Sequence, residues 1–105
     1  MERIATGLMA ICLLAGCSGE RSARSACEAM ILQHAKNPTS AHIPKPTSAY
    51  GGRKGWIVEW KMGQGLTLQN AFGAQIDTEA WCSYDSEKRA VSLLILDNKT
   101  VYSAE

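Results

Sequence analysis

The sequence predicts an α+β domain, with one N-terminal helix packed on a three- to four-stranded antiparallel sheet. Two observations carry that expectation. Cys27, Met30, Ile31 and His34 recur at i, i+3, i+4 and i+7, the spacing of one helix face. From Trp56 the apolar period changes to two, and the successive runs are joined by short turn-forming segments rather than crossovers.

Ser25 is a candidate N-cap, and Glu28 three residues on completes a capping box. The helix is expected to continue to about Lys36, where Asn37-Pro38 stops it, because proline cannot extend a helix. Residues 38–55 contain all three prolines with several Ser, Thr and Gly, and read as a surface loop. Gly51-Gly52-Arg53-Lys54-Gly55 lacks the spacing and the Lys-Ser/Thr ending of a phosphate loop, so a turn is expected there.

Trp56, Val58, Trp60 and Met62 alternate with Ile57, Glu59 and Lys61, the pattern of a half-buried strand. Trp56 and Trp60 are expected in the core. Gly63-Gln64-Gly65 breaks the strand, and Leu66-Thr67-Leu68 reads as a short continuation. Asn70-Ala71-Phe72-Gly73 reads as a turn with Phe72 tucked beneath it. A second strand is expected from Ala74 to Tyr84. Ile76, Thr78, Ala80, Cys82 and Tyr84 fall on one side of it, and Gln75, Asp77, Glu79 and Trp81 on the other. Asp85-Ser86-Glu87-Lys88 is a hairpin turn, Ala90 to Leu96 a third strand, and Asp97-Asn98-Lys99 its end. Thr100 to Tyr102 could pair briefly as an edge.

The N-terminus is of a different kind. Ile4 to Ala15 is almost wholly apolar, yet shorter than the roughly 20 residues that a membrane-spanning helix needs. It has the length of a signal-peptide core. Leu14-Ala15-Gly16-Cys17 follows at its end, and this stretch resembles the lipobox of bacterial lipoproteins. The resemblance implies that residues 1–16 are a signal peptide that is removed. Cys17 then becomes the first residue and carries the lipid, and residues 17–24 form a polar tether to a single small domain over residues 25–105. Ser18, where an Asp often retains such proteins at the inner membrane, implies the periplasmic side of an outer membrane in a host with two membranes.

This processing removes Cys12 and assigns Cys17 to the lipid. Cys27 and Cys82 remain, in an oxidising compartment where one disulfide is the simplest outcome. Closing the chain between residues 27 and 82 contributes about 4 kcal/mol in the chain-entropy model. Neither cysteine has a second nearby, so no C-x-x-C or zinc spacing is present. With Cys27 on the helix stripe, Cys82 must face the helix. Ile76 and Ala80 then join the core and Trp81 points outward.

A wider resemblance rests on Asn37-Pro38-Thr39-Ser40-Ala41, Gln69-Asn70-Ala71-Phe72-Gly73-Ala74 and Cys82. The pattern is similar to small exported bacterial and phage-associated proteins, mostly uncharacterised, over residues 26–97. It implies a shared fold and disulfide. Asp77 and Glu79 stand where those proteins have more basic strand residues.

Enzyme signatures are missing. There is no G-x-S-x-G, no H-E-x-x-H and no glycine-rich nucleotide loop. His34 lies on the apolar helix stripe and reads as a packed histidine. His42 in the proline-rich segment has no sequence-near ligand partner, although the two histidines could meet across the chain reversal. Asp77 and Glu79 have the spacing of paired carboxylates, but alternating acids on a strand more often serve solubility. No catalytic residue, metal site or cofactor is expected. A net charge of +1 excludes a polybasic nucleic-acid surface.

Trp81, flanked by Asp77 and Glu79, is the candidate contact for a partner, since Trp is enriched at binding hot spots. Equally, the 38–55 segment could cover Trp81 in a second small core. The expected function is a non-enzymatic, lipid-anchored binding module of the cell envelope, contacting the membrane through Cys17 and another envelope protein through its surface. Alternatives are a phage or mobile-element exclusion lipoprotein, a structural envelope lipoprotein and an inhibitor of an envelope hydrolase.

Overall fold

The computed structural model describes residues 19–104. The expected signal segment 1–16, with Cys12, and the expected lipidation site Cys17 lie outside the described residues.

Helix α1 occupies residues 19–34. It therefore includes residues 19–24, which the sequence suggested as a tether, and Ser25 lies within it rather than at its N-cap. The reason is visible in the packing. Ala23 stands four residues before Cys27 and eight before Ile31, and all three are fully buried. The apolar stripe thus begins a turn earlier than the capping-box reading allowed. Glu20 and Arg24 also form an i,i+4 pair at 3.8 Å, a weak surface contribution. The helix ends at residue 34, and Pro38–Ser40 forms a short 3-10 turn.

Seven strands follow: β1 (Ser48–Gly51), β2 (Gly55–Trp60), β3 (Thr67–Gln69), β4 (Gln75–Asp77), β5 (Ala80–Asp85), β6 (Ala90–Leu96) and β7 (Lys99–Ser103). Five of them form an antiparallel sheet in the order β1-β2-β5-β6-β7, and β3-β4 is a separate antiparallel hairpin. One helix on an antiparallel sheet agrees with the expected class, but the sheet has more strands than three or four.

Two departures explain the difference. Part of the proline-rich segment pairs as β1 along β2, with Ser48 opposite Glu59 and Gly51 opposite Trp56. The other is the run 74–84, which is two strands, not one. Its first part pairs with Thr67–Gln69 to make the small hairpin, and its second part enters the main sheet. Thr78 at the junction is buried. Its amide donates to Leu66 O at 2.9 Å and its hydroxyl to Ile76 O at 3.0 Å.

The core lies between α1 and one sheet face. Val58, Trp60, Ala80, Cys82, Tyr84, Val91, Leu94 and Leu96 meet Ala23, Cys27 and Ile31, and Leu66 closes the cluster. Each large side chain buried here contributes about 1.5–3 kcal/mol. Cys27 and Cys82 are joined, with Cα atoms 6.1 Å apart, so the disulfide ties the middle of α1 to the sheet. Trp60 Nε1 donates to Pro44 O at 2.8 Å, which satisfies the buried indole and holds the proline-rich segment against the core.

Two β-bulges decide which residues face inward. Ser83 pairs with Leu93 but Tyr84 with Val91, so Ser92 is the extra residue. Leu94 pairs with Tyr102 but Ile95 with Thr100, so Val101 is extra on β7. The Ser92 bulge puts Val91, Leu94 and Leu96 on the helix side, while Leu93 and Ile95 face away; the Val101 bulge changes the facing only along β7.

Candidate functional site

The sheet face opposite α1 is built by alternation. Ile57 on β2, Trp81 on β5, and Leu93 and Ile95 on β6 all project from it and are only partly buried. Trp81 lies directly across from Ile95, and Ser83 lies between Ile57 and Leu93. The aromatic ring is thus surrounded by aliphatic neighbours at cross-strand and diagonal positions.

At one end of this face is an open cleft of about 730 Å³. Trp81, Leu93, Ile95 and Met62 supply its apolar surface, while Glu59, Lys61, Glu79 and Asn98 contribute polar groups around them. Glu59 is held by Ser48 Oγ, which donates to its Oε1 at 3.0 Å. The Glu79 backbone is fixed by a reciprocal pair: its amide donates to Asp97 Oδ1 at 3.0 Å, and the Asp97 amide donates to Glu79 O at 3.0 Å. The adjoining turn has Asp97 and Asn98 both at positive φ, the geometry of a tight two-residue hairpin.

Of the residues singled out from the sequence, Trp81 and Glu79 meet in this cleft. Asp77 does not join them. It sits on β4 opposite Thr67, in the other sheet. The strand break at Thr78 separates the two acids, so the expected stripe of Asp77, Glu79 and Trp81 on one strand face does not form. The proline-rich segment does not cover Trp81, because Pro44 lies against Trp60 on the helix side. Met62, expected to share the core face of Trp60, is half exposed in the turn after β2 and contributes to the cleft instead.

Ile76 was placed in the core by strict alternation through residue 84; it is instead exposed on β4. Phe72, expected beneath its turn, is 95% exposed. The residues that sequence reasoning passed over are Ile57, Leu93 and Ile95. The one available signal was that Ala90 to Leu96 is apolar at nearly every position, which a strand with one solvent-facing side does not require.

The histidines have separate roles. His34, expected as a packed histidine on the helix stripe, is instead exposed in the last turn of α1; its Nδ1 donates to Met30 O at 3.0 Å, and its ring lies 6.5 Å from that of Tyr102. His42 forms a backbone bridge with Thr67, each amide donating to the other's carbonyl at 3.0 Å. Among the described residues, no three His, Cys, Asp or Glu side chains are grouped to hold a metal ion. No helix among them is long and apolar enough to cross a membrane.

Comparison with known proteins finds no matching family model, no matching curated protein and no matching solved structure.

Proposed function

We propose that the chain is a lipid-anchored, non-enzymatic module of the cell envelope that binds another envelope protein through the sheet face around Trp81. The observation that carries the reading is the asymmetry of the sheet. One face is covered by α1 and stapled to it, while the other presents Ile57, Trp81, Leu93 and Ile95 beside an open cleft. Contiguous exposed apolar surface rimmed by polar groups is the ordinary signature of a protein contact. Rim groups of both signs, Glu59, Glu79 and Lys61, favour a protein partner with a mixed polar edge over a nucleic acid.

The compartment rests on two supports. A disulfide persists where the environment is oxidising. The lipobox-like Leu14-Ala15-Gly16-Cys17 supplies the anchor, on Cys17. A domain held at a membrane by its N-terminus needs no catalytic constellation to act, since tethering raises the effective concentration of a binding surface near its partner.

Two substitutions test the two halves separately. Cys17→Ser is expected to abolish lipid labelling and membrane fractionation; unchanged fractionation refutes the anchor. Trp81→Ala is expected to leave the fold intact and to remove the dominant partner crosslinked from neighbouring Leu93. A partner recovered equally well from the Trp81→Ala protein refutes the contact surface.

A further inference from the structure

The β3–β4 hairpin carries a feature that the sheet face does not explain. Phe72 at its tip is 95% exposed, the most exposed large apolar side chain among the described residues. Its loop is firmly built. Asn70 Oδ1 accepts from the Phe72 amide at 2.9 Å and the Ala74 amide at 3.0 Å. The Asn70 amide donates to Ala74 O at 2.9 Å, the Gly73 amide to Asn70 O at 3.1 Å, and Gln69 Nε2 to Gly73 O at 3.1 Å. Gly73 has φ +87°, a conformation that side-chain-bearing residues rarely adopt. Five hydrogen bonds and one left-handed glycine thus hold an aromatic ring in water, where it contributes nothing to the core.

We infer that Phe72 is an anchor side chain that this hairpin inserts into an apolar pocket of a protein partner. A ring presented on a prebuilt loop binds at low ordering cost, the arrangement that makes aromatic residues hot spots. Charge selects the class of partner. Residues 66–78 contain no Lys or Arg, and Asp77 is their only charged side chain. Anionic headgroups attract basic segments, so the hairpin does not suit a lipid surface. A second copy is also disfavoured, because its own cleft has two carboxylates, Glu59 and Glu79, against the single Lys61, and this net negative rim would meet Asp77 with like charge. The pocket that fits is apolar with a neutral or basic rim, which would meet Asp77 without like-charge repulsion.

Position supports the same partner. Residue 19, where the described part of α1 begins, abuts Trp56 at the start of β2. Residues 34–36, at and just past the other end of the helix, lie beside Leu68, Asn70 and Ile76. The hairpin is therefore about 24 Å from the start of the described chain, one helix length. With the lipid expected on Cys17, two residues before residue 19, Phe72 lies toward the end of α1 opposite the anchor.

The test is in-cell photocrosslinking of the full-length protein, with p-benzoyl-phenylalanine at Ile76 and, as control, at Lys88. The Ile76 probe is expected to yield one discrete adduct with a different protein, absent from the Lys88 probe. Adding Phe72→Ala should lower its yield roughly 10-fold or more, the loss for unburying a phenyl ring. The thermal midpoint should not move, since the ring packs on nothing. A lipid adduct, an adduct of twice the chain mass, no adduct above the Lys88 control, or a yield unchanged by Phe72→Ala overturns the inference. The same probe at Leu93 reports on the sheet face independently, so either contact fails without the other.

Discussion

Reducing the Cys27–Cys82 disulfide isolates one energetic contribution cleanly. Both cysteines are fully buried, so reduction leaves two small apolar thiols inside the core, and the main loss is the crosslink. The bridge joins positions 55 apart, for which loop-closure entropy gives about 4 kcal/mol at 25 °C. Small domains have total stabilities of roughly 5–15 kcal/mol, so this is a large share. At a urea slope of about 1 kcal/mol/M, the unfolding midpoint should fall by about 4 M on reduction. The thermal midpoint should fall by about 16–30 °C. Tryptophan fluorescence reads the transition, because Trp60 is almost wholly buried. A Cys27→Ala/Cys82→Ala protein should lose the same amount plus about 1 kcal/mol per site for the small cavities. Equal midpoints for oxidised and reduced protein, or two free thiols in the native oxidised form, would refute the reasoning.

Trp60→Phe removes the donor to Pro44 O and should cost about 1–3 kcal/mol. It should also speed hydrogen exchange at the His42 and Thr67 amides, which bond each other in the segment that Trp60 holds down. Gly55→Ala drives a Cβ into the backbone carbonyl of Tyr84 across the β2–β5 ladder and should destabilise by about 1–3 kcal/mol in urea unfolding. Gly52→Ala, three residues earlier with open space around its Cβ, should stay within about 0.5 kcal/mol and serves as the control.

The helix face, the antiparallel class, the third strand at Ala90 to Leu96 and the pairing of Cys27 with Cys82 were all legible before the structure. Each follows from periodicity, or from a count of cysteines once Cys12 and Cys17 are set aside by the expected processing. The turn at Asp85 was legible too. Its carboxylate accepts from the Glu87 and Lys88 amides at 2.9 and 3.1 Å, a local device that the residue types announce. The start of α1 was misread because the capping box at Ser25 and Glu28 competes with a continuing stripe through Ala23, and burial settles such contests over propensity. Strand β1 was missed because a four-residue edge strand beside prolines has no alternation of its own and forms only where β2 offers a partner.

The candidate site was half legible. Trp81 could be set outward from the parity of its strand, counting from Cys82. Its separation from Asp77 could not be foreseen, since an alternating run reads the same whether it is one strand or two. The break at Thr78 comes from hydrogen bonds to Leu66 and Ile76 that the chain meets only after folding. The outward turn of Leu93 and Ile95 depends on the bulge at Ser92, which shifts every later side chain of β6 to the other face.

What the chain encodes locally is therefore its secondary-structure class and its tight turns, because spacing and backbone chemistry act over a few residues. What the three-dimensional arrangement adds is which face is left open and which side chain is left in water. Trp81 has its surround, and Phe72 its isolation, because strand partners and bulges are set by packing across the whole domain.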